Sequence, residues 1–223
     1  MQMNQEQTIG ELASTYPASV RVFQRRGLDF CCGGKQPLVQ ACEKRGLDAG
    51  AILEEIRQEV AQANAPEIDW AERPLTEIID HLLETYHQPL YEELPRLERM
   101  AAKVRVVHGD KDPVRFAALL RLVTEIKEEL EPHMMKEERV LFPAIRQGMG
   151  QGMSMPVRVM ESDHVTTGAQ LEQLRELTSN YQAPPGACAT WRALWNGLAE
   201  LDAGLQRHIH LENNILFPRA LAG

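Results

Sequence analysis

Long apolar runs are missing from the 223 residues. None approaches the roughly 20 uncharged residues that a membrane-spanning helix needs, so no membrane partner is expected. Aromatic residues are few, at 5%, and no stretch alternates polar with apolar residues long enough to suggest a sheet. Positive charge is in short supply: 24 Lys and Arg stand against 32 Asp and Glu, a net charge of −8. That balance argues against nucleic acid as a partner. The four cysteines are too few and too irregularly spaced for a disulfide framework, so a reducing cytoplasm is the expected location. The first twelve residues have neither a basic nor an apolar signal region, so no secretory leader is expected.

What is present is helical periodicity. Ile52, Leu53, Ile56 and Val60 recur at three and four, as do Leu119, Leu122, Val123, Ile126 and Leu130. The spacing predicts an all-α chain in two parts. Residues 1–63 read as a small helical N-terminal domain, punctuated by Pro17, Gly27, Gly33, Gly34, Pro37 and Gly46. Residues 64–74 read as a linker that permits relative motion. Residues 75–223 read as four long helices near 75–107, 112–146, 157–180 and 187–220 with short connections. Such connections make antiparallel neighbours and hence a four-helix bundle. Pro89, Pro95 and Pro132 fall inside predicted helices, where bends are expected.

The second part contains a repeat. His133 to Pro143 and His208 to Pro218 both read H-x3-E-x3-L-F-P, and His87 and His164 lie 46 and 44 residues upstream of the respective copies. On a helix, positions i and i+4 share a face. His133 with Glu137, and His208 with Glu212, therefore each offer an imidazole and a carboxylate to one point. Adding His87 and His164 gives four imidazoles and two carboxylates at the bundle centre, a set suited to two iron or manganese ions. If each ion takes six ligands, two bridging carboxylates and one bridging oxygen leave two positions open for an exogenous molecule. By the repeat, His87 and His133 fall to one ion and His164 and His208 to the other, with Glu137 and Glu212 bridging. His81 lies about 240° around the helix from His87, facing elsewhere, and His210 about 200° from His208, on the surface. His108 reads as an exposed loop residue.

A second signal is the run Gly27-Leu28-Asp29-Phe30-Cys31-Cys32-Gly33-Gly34-Lys35. Arg25, Arg26, Lys35 and a helix starting near Pro37 surround the cysteine pair, and positive charge lowers a thiol pKa. Adjacent thiols of this kind can close a strained ring, hold a soft metal or accept NO. Cys42 and Cys188 read as buried, inert thiols, and Trp191 and Trp195 as core. Glu125 and Glu129 lie eight and four residues before His133, placed either to line a path to the metals or to form a solvated stripe. The stretch from Gly148 to Met155 reads as a flexible connector.

The repeat resembles the hemerythrin-like metal-binding bundle. Oxygen-carrying hemerythrins place a second histidine four residues after the third-helix histidine, where this chain has Gly168. They use an aspartate, at slightly different spacing, where it has Glu212. Combined with the Cys-Cys run, the whole chain resembles the Repair of Iron Centres family, iron-sulfur cluster repair proteins of the YtfE/ScdA type. The resemblance implies two non-haem iron ions, oxo- and carboxylate-bridged, held by His87, His133, Glu137, His164, His208 and Glu212. It also implies a redox or relay role for Cys31 and Cys32. The implied function is repair of iron-sulfur clusters after oxidative or nitrosative stress, by iron donation, NO handling or both. The implied partners are iron-sulfur clients with damaged clusters, NO or O2, and an electron donor, with a homodimer left open. The alternatives are a di-iron NO reductase or peroxidase, and a sensor of O2, NO or iron.

Overall fold

The computed structural model describes residues 3–62 and 68–223. Among them there are eleven α-helices and no β-strand. The first four helices, α1 (Ile9–Thr15), α2 (Ser19–Arg26), α3 (Leu38–Arg45) and α4 (Ala49–Gln62), enclose a core around Leu12, Phe23, Phe30, Leu38 and Ile56. Thr8 and Glu11 form a capping box at the start of α1. Gly27 and Gly46 end α2 and α3 in the left-handed region, with φ of 64° and 66°, where a side chain would be strained.

The bundle has four arms. The first joins α5 (Leu75–Leu82) to α6 (Gln88–His108), the second α7 (Pro113–Lys136) to α8 (Phe142–Arg146). The third is α9 (Ser154–Thr178), and the fourth joins α10 (Ala189–Leu211) to α11 (Phe217–Ala222). One apolar cluster gathers Leu97, Leu119, Ile126, Leu174, Trp191 and Trp195. Another, at the opposite end, gathers Ile78, Leu82, Phe142, Leu216 and Phe217. Along each arm the six predicted ligands fall about where one cluster gives way to the other.

Three π-turns join the broken arms: Leu83–His87, Glu137–Leu141 and Glu212–Leu216. Each closes with an i→i−5 bond, from Gln88 N–H to Leu83 O, Phe142 N–H to Glu137 O and Phe217 N–H to Glu212 O. The next residue is a proline every time, Pro89, Pro143 or Pro218. A proline has no N–H to give, so the change of register falls on the residue with none to lose. The irregularity expected at Pro89 is thus a wide turn. Pro95 and Pro132 lie inside uninterrupted α6 and α7.

The two parts touch closely. Residues 63–67, within the predicted linker, lie outside the described residues. Trp70 stacks on His81 at 4.3 Å, and Arg219 donates to Trp70 O and Arg73 O. Gln24 donates to Ala203 O, Asn214 to Phe30 O, and Lys35 and Arg45 pair with Glu161 and Glu172. Gly150–Met153, expected to be a flexible connector, forms a 3-10 turn with Gly150 packed on Ala220.

The contact is tightest at Gly34, where an added Cβ would strike Asn214 Oδ1 and sit 2.9 Å from Phe30 O. Replacing Gly34 with Ala is expected to cost about 1–3 kcal/mol by overpacking, lowering the thermal midpoint by roughly 2–12 °C. Calorimetry checks this, and an unchanged midpoint would show an interface that yields freely.

Candidate metal centre

The six predicted residues come together and are all buried, none more than 3% exposed. They gather as two overlapping groups. His87 and His208 share one with Glu137 and Glu212, and His133 and His164 share the other with the same two glutamates. His87 Nε2 lies 3.1 Å from His208 Nε2, and His164 Nε2 lies 3.0 Å from His133 Nε2. Both carboxylates face both pairs, as bridging ligands must. The pairing differs from the one expected from the repeat, which put His87 with His133. Each first-helix histidine is flanked by both second helices of the bundle, and its azimuth turns Nε2 toward the helix of the other hairpin.

The opposite ring nitrogen stays within its own hairpin. His87 Nδ1 donates to Glu138 Oε1 at 2.9 Å, and His164 Nδ1 donates to Asn213 Oδ1 at 2.8 Å. Glu138 and Asn213 are the residues directly after Glu137 and Glu212. His133 Nδ1 lies 3.2 Å from Asp163 Oδ2, which also accepts from Lys136. The His208 ring is covered by Tyr86, stacked parallel at 5.3 Å. The three hydrogen bonds fix the tautomer that leaves Nε2 free for a metal, while His208 Nδ1 has no hydrogen-bond partner among the described residues.

Electrostatics shows what the centre is missing. Both oxygens of Glu137 and Oε2 of Glu212 accept no hydrogen bond among the described residues. The nearest imidazoles stand off from them, His133 Nε2 at 3.4 Å from Glu137 Oε2 and His164 Nε2 at 3.3 Å from Glu212 Oε2, and buried carboxylates so loosely partnered destabilise the fold unless further positive charge compensates them. Burial opposes charging of His133, yet Glu137, Glu212 and the Asp163 hydrogen bond together outweigh it and lift this imidazole to about 9. Burial likewise opposes ionisation of Glu212, but His208 and His164 hold it well below the usual carboxylate range. A compact set of four imidazoles and two under-compensated carboxylates fits two iron ions.

A cavity of about 380 Å³ reaches His133, lined by Glu129, Lys136, Asp163 and Thr167 among others. Of the two glutamates weighed as path residues, Glu129 lies at this cavity, while Glu125 pairs with Arg121 in solvent.

The cysteine pair is beside the centre. Cys32 Sγ donates to His164 O at 3.1 Å, and Asn213 Nδ2 donates to Cys31 O at 3.2 Å. Gly168 makes room for this: an added Cβ would stand 3.2 Å from Cys32 Sγ. The thiol therefore takes the space beside the position where an oxygen carrier has its extra histidine. The expected activation of the pair by positive charge is corrected for Cys31. Its hydrogen bond with Cys32, burial and the nearby Asp29 push it well above the usual thiol range. Arg25, Arg26 and Lys35 are engaged elsewhere, with Glu59, Glu55 and Glu161.

Other expectations are also revised. His210 is buried, not exposed, because the N-terminal helices cover that face. Its ring meets Phe30 edge-on at 5.5 Å, and burial pushes its pKa down to about 4, leaving it neutral. His108 ends α6 half-buried, with Nε2 at 3.1 Å from the half-buried Cys188 thiol. His81 lies outside both donor groups, as expected. Asn213 and Asn214 were not singled out in the sequence. The available signal was their place in the repeat, where the first copy has Glu138 and Arg139.

Two predictions follow from this arrangement. Replacing Glu137 or Glu212 with Leu removes a shared ligand, so iron should fall from about two ions per chain to one or fewer by metal analysis. A Glu98→Ala control should keep both. Replacing Asn213 with Asp keeps an acceptor for His164 but loses the donor to Cys31 O. Iron should then be retained within roughly tenfold in affinity, while Cys32 should react faster with a thiol reagent. Unchanged thiol reactivity would show that Asn213 does not restrain the cysteine turn.

Comparison with known proteins agrees with this geometry. Residues 78–220 match the hemerythrin HHE cation binding domain, and residues 5–60 match ScdA_N, described as a domain of unknown function. A protein of Cronobacter sakazakii named iron-sulfur cluster repair protein YtfE is 50% identical over 219 residues, covering 98% of this chain and 97% of that protein. Proteins of the same name from Citrobacter koseri and Escherichia coli are 46% and 47% identical, each over 98% of both chains. With both domains matched in order and the relatives covered almost end to end, the chain belongs to the YtfE family of iron-sulfur cluster repair proteins.

Proposed function

We propose that this chain repairs damaged iron-sulfur clusters in client proteins, in the cytoplasm, using a pair of iron ions. They are held by His87 and His208 on one side, His133 and His164 on the other, and Glu137 and Glu212 between. The observation that carries this reading is the buried, under-compensated donor set. It is supported by the full-length likeness to proteins named for such repair. No helix among the described residues is long and apolar enough to cross a membrane, consistent with clients met in solution.

The ions supply redox and ligand-binding chemistry. The chain's own residues do the rest. Glu138, Asn213 and Asp163 hold three imidazoles in the metal-binding tautomer. Tyr86, Phe142 and Phe217 pack against the ligand rings and keep water away. The cavity at His133 admits a molecule the size of NO or O2. Cys31 and Cys32, joined to His164 by Asn213 and by the Cys32 thiol, are placed to relay iron or electrons toward a client.

NO reduction is the second reading, favoured by the same cavity. Turnover separates the two, as N2O counted per chain with a reductant present. The test of repair is a client with an NO-damaged four-iron cluster. Wild-type protein should restore its activity. A Cys31→Ser/Cys32→Ser variant should keep both irons and lose most of that capacity, tenfold or more if the relay is direct. Repair at the wild-type rate by the double variant would remove the cysteines from the mechanism.

A further inference from the structure

Asp29, Cys31 and Cys32 form a third group of potential metal donors, apart from the six bundle ligands. One ligand atom from each lies within 4.8 Å of the others. The two sulfurs are 3.6 Å apart, and Cys31 Sγ is 3.3 Å from Asp29 Oδ1. These spacings can be compared with those around a tetrahedral ion. At about 2.3 Å to sulfur and 2.1 Å to oxygen, two sulfurs stand roughly 3.8 Å apart and sulfur and oxygen roughly 3.6 Å. The two separations that involve Cys31 thus match a shared ion within a few tenths of an ångström, and the third donor pair lies within 4.8 Å. A disulfide would require the sulfurs to close to about 2.05 Å.

The turn holds its donors in place before any ion arrives. Asp29 Oδ1 accepts from Cys32 N–H at 2.9 Å and Oδ2 from Gly33 N–H at 3.0 Å, which fixes the carboxylate beside the thiols. Asn213 holds the Cys31 carbonyl, and Gly168 leaves space for Cys32. All three donors line one cavity of about 370 Å³, with Arg45 and Arg175 among its other walls.

We infer that Asp29, Cys31 and Cys32 bind one thiophilic divalent cation of the ferrous or zinc class, with a fourth coordination position open to the cavity. Two thiolates and a carboxylate are a borderline-soft set that prefers such ions to calcium or magnesium. On binding, both thiols lose their protons to solvent, two S–M bonds and one O–M bond form, and no electron is transferred. The complex carries one net negative charge, facing the guanidinium groups in the cavity wall. With three protein donors and an open position, the site suits a metal that is passed on, unlike a closed four-cysteine structural site. Its use in delivering iron rests on the repair function proposed above; its existence rests on donor geometry alone.

The test uses the full chain with both bundle irons in place, titrated with cobalt(II) without oxygen. One further equivalent should bind, with a thiolate-to-cobalt charge-transfer band in the near ultraviolet, while bundle iron stays bound. Zinc should then displace the cobalt and remove the band, and ferrous iron should do so only in excess, being the weaker-binding ion. Cys31→Ser and Cys32→Ser should each abolish it. Asp29→Asn, which keeps one of the two capping oxygens but loses the negative charge, should weaken binding by roughly tenfold or more, and Cys42→Ser should leave it unchanged. Retention of two irons and their visible spectrum shows that each variant is folded. No band in the wild type, cobalt uptake only in exchange for iron, or a band that survives both cysteine substitutions would each overturn the inference. None of these outcomes depends on repair activity.

Discussion

Two carboxylates at the middle of the bundle, three of whose four oxygens lack a hydrogen bond among the described residues, are the constraint around which the rest is arranged. In an apolar interior such groups destabilise the fold severely unless positive charge is brought to them. The chain surrounds them with imidazoles, fixes those rings from outside and closes both ends with apolar clusters. The price is specialisation: the centre of the bundle is organised for cations and not for its own packing. Trp195, Leu174 and Leu97 at one end, and Phe142, Phe217 and Ile78 at the other, supply the burial that the middle does not.

The pseudo-symmetry of the two hairpins is broken where the N-terminal helices dock. Glu138 and Asn213 occupy matching positions and both accept from a first-helix histidine. Glutamate has no N–H to offer, but an amide does. In the second hairpin the amide reaches Cys31 O. One substitution between repeats thus lets the same residue position serve the metal ligand and anchor the cysteine turn.

Much of this was legible in the sequence, for physical reasons. The clustering of the six candidate donors was readable because His133/Glu137 and His208/Glu212 are local i, i+4 pairs, and helical geometry alone puts them on one face. How those donors group was not, because it depends on which neighbouring helix a ring faces, and a repeat reports only covalent order. His210 was misread for a related reason: its burial comes from Phe30, far away in the chain. The charge around Cys31 was counted correctly but placed wrongly, since Arg25 and Arg26 bridge to α4 instead of facing the thiols. Pro132 lies near the end of α7, which continues through it to Lys136. The division at residues 63 and 64 falls where the described residues stop.

The prolines after the π-turns set the phase of the ligands. A π-turn is one surplus residue in an α-helix, and such a surplus can drift along the axis when neighbouring N–H groups exchange acceptors. Each drift would rotate the side chains it passes by about 100°. Pro89, Pro143 and Pro218 have no N–H to exchange, so they block that drift on the C-terminal side of each turn. His87 ends the first turn, and Glu137 and Glu212 open the other two. The three prolines therefore act as stops that keep one imidazole and both carboxylates in rotational register with the centre.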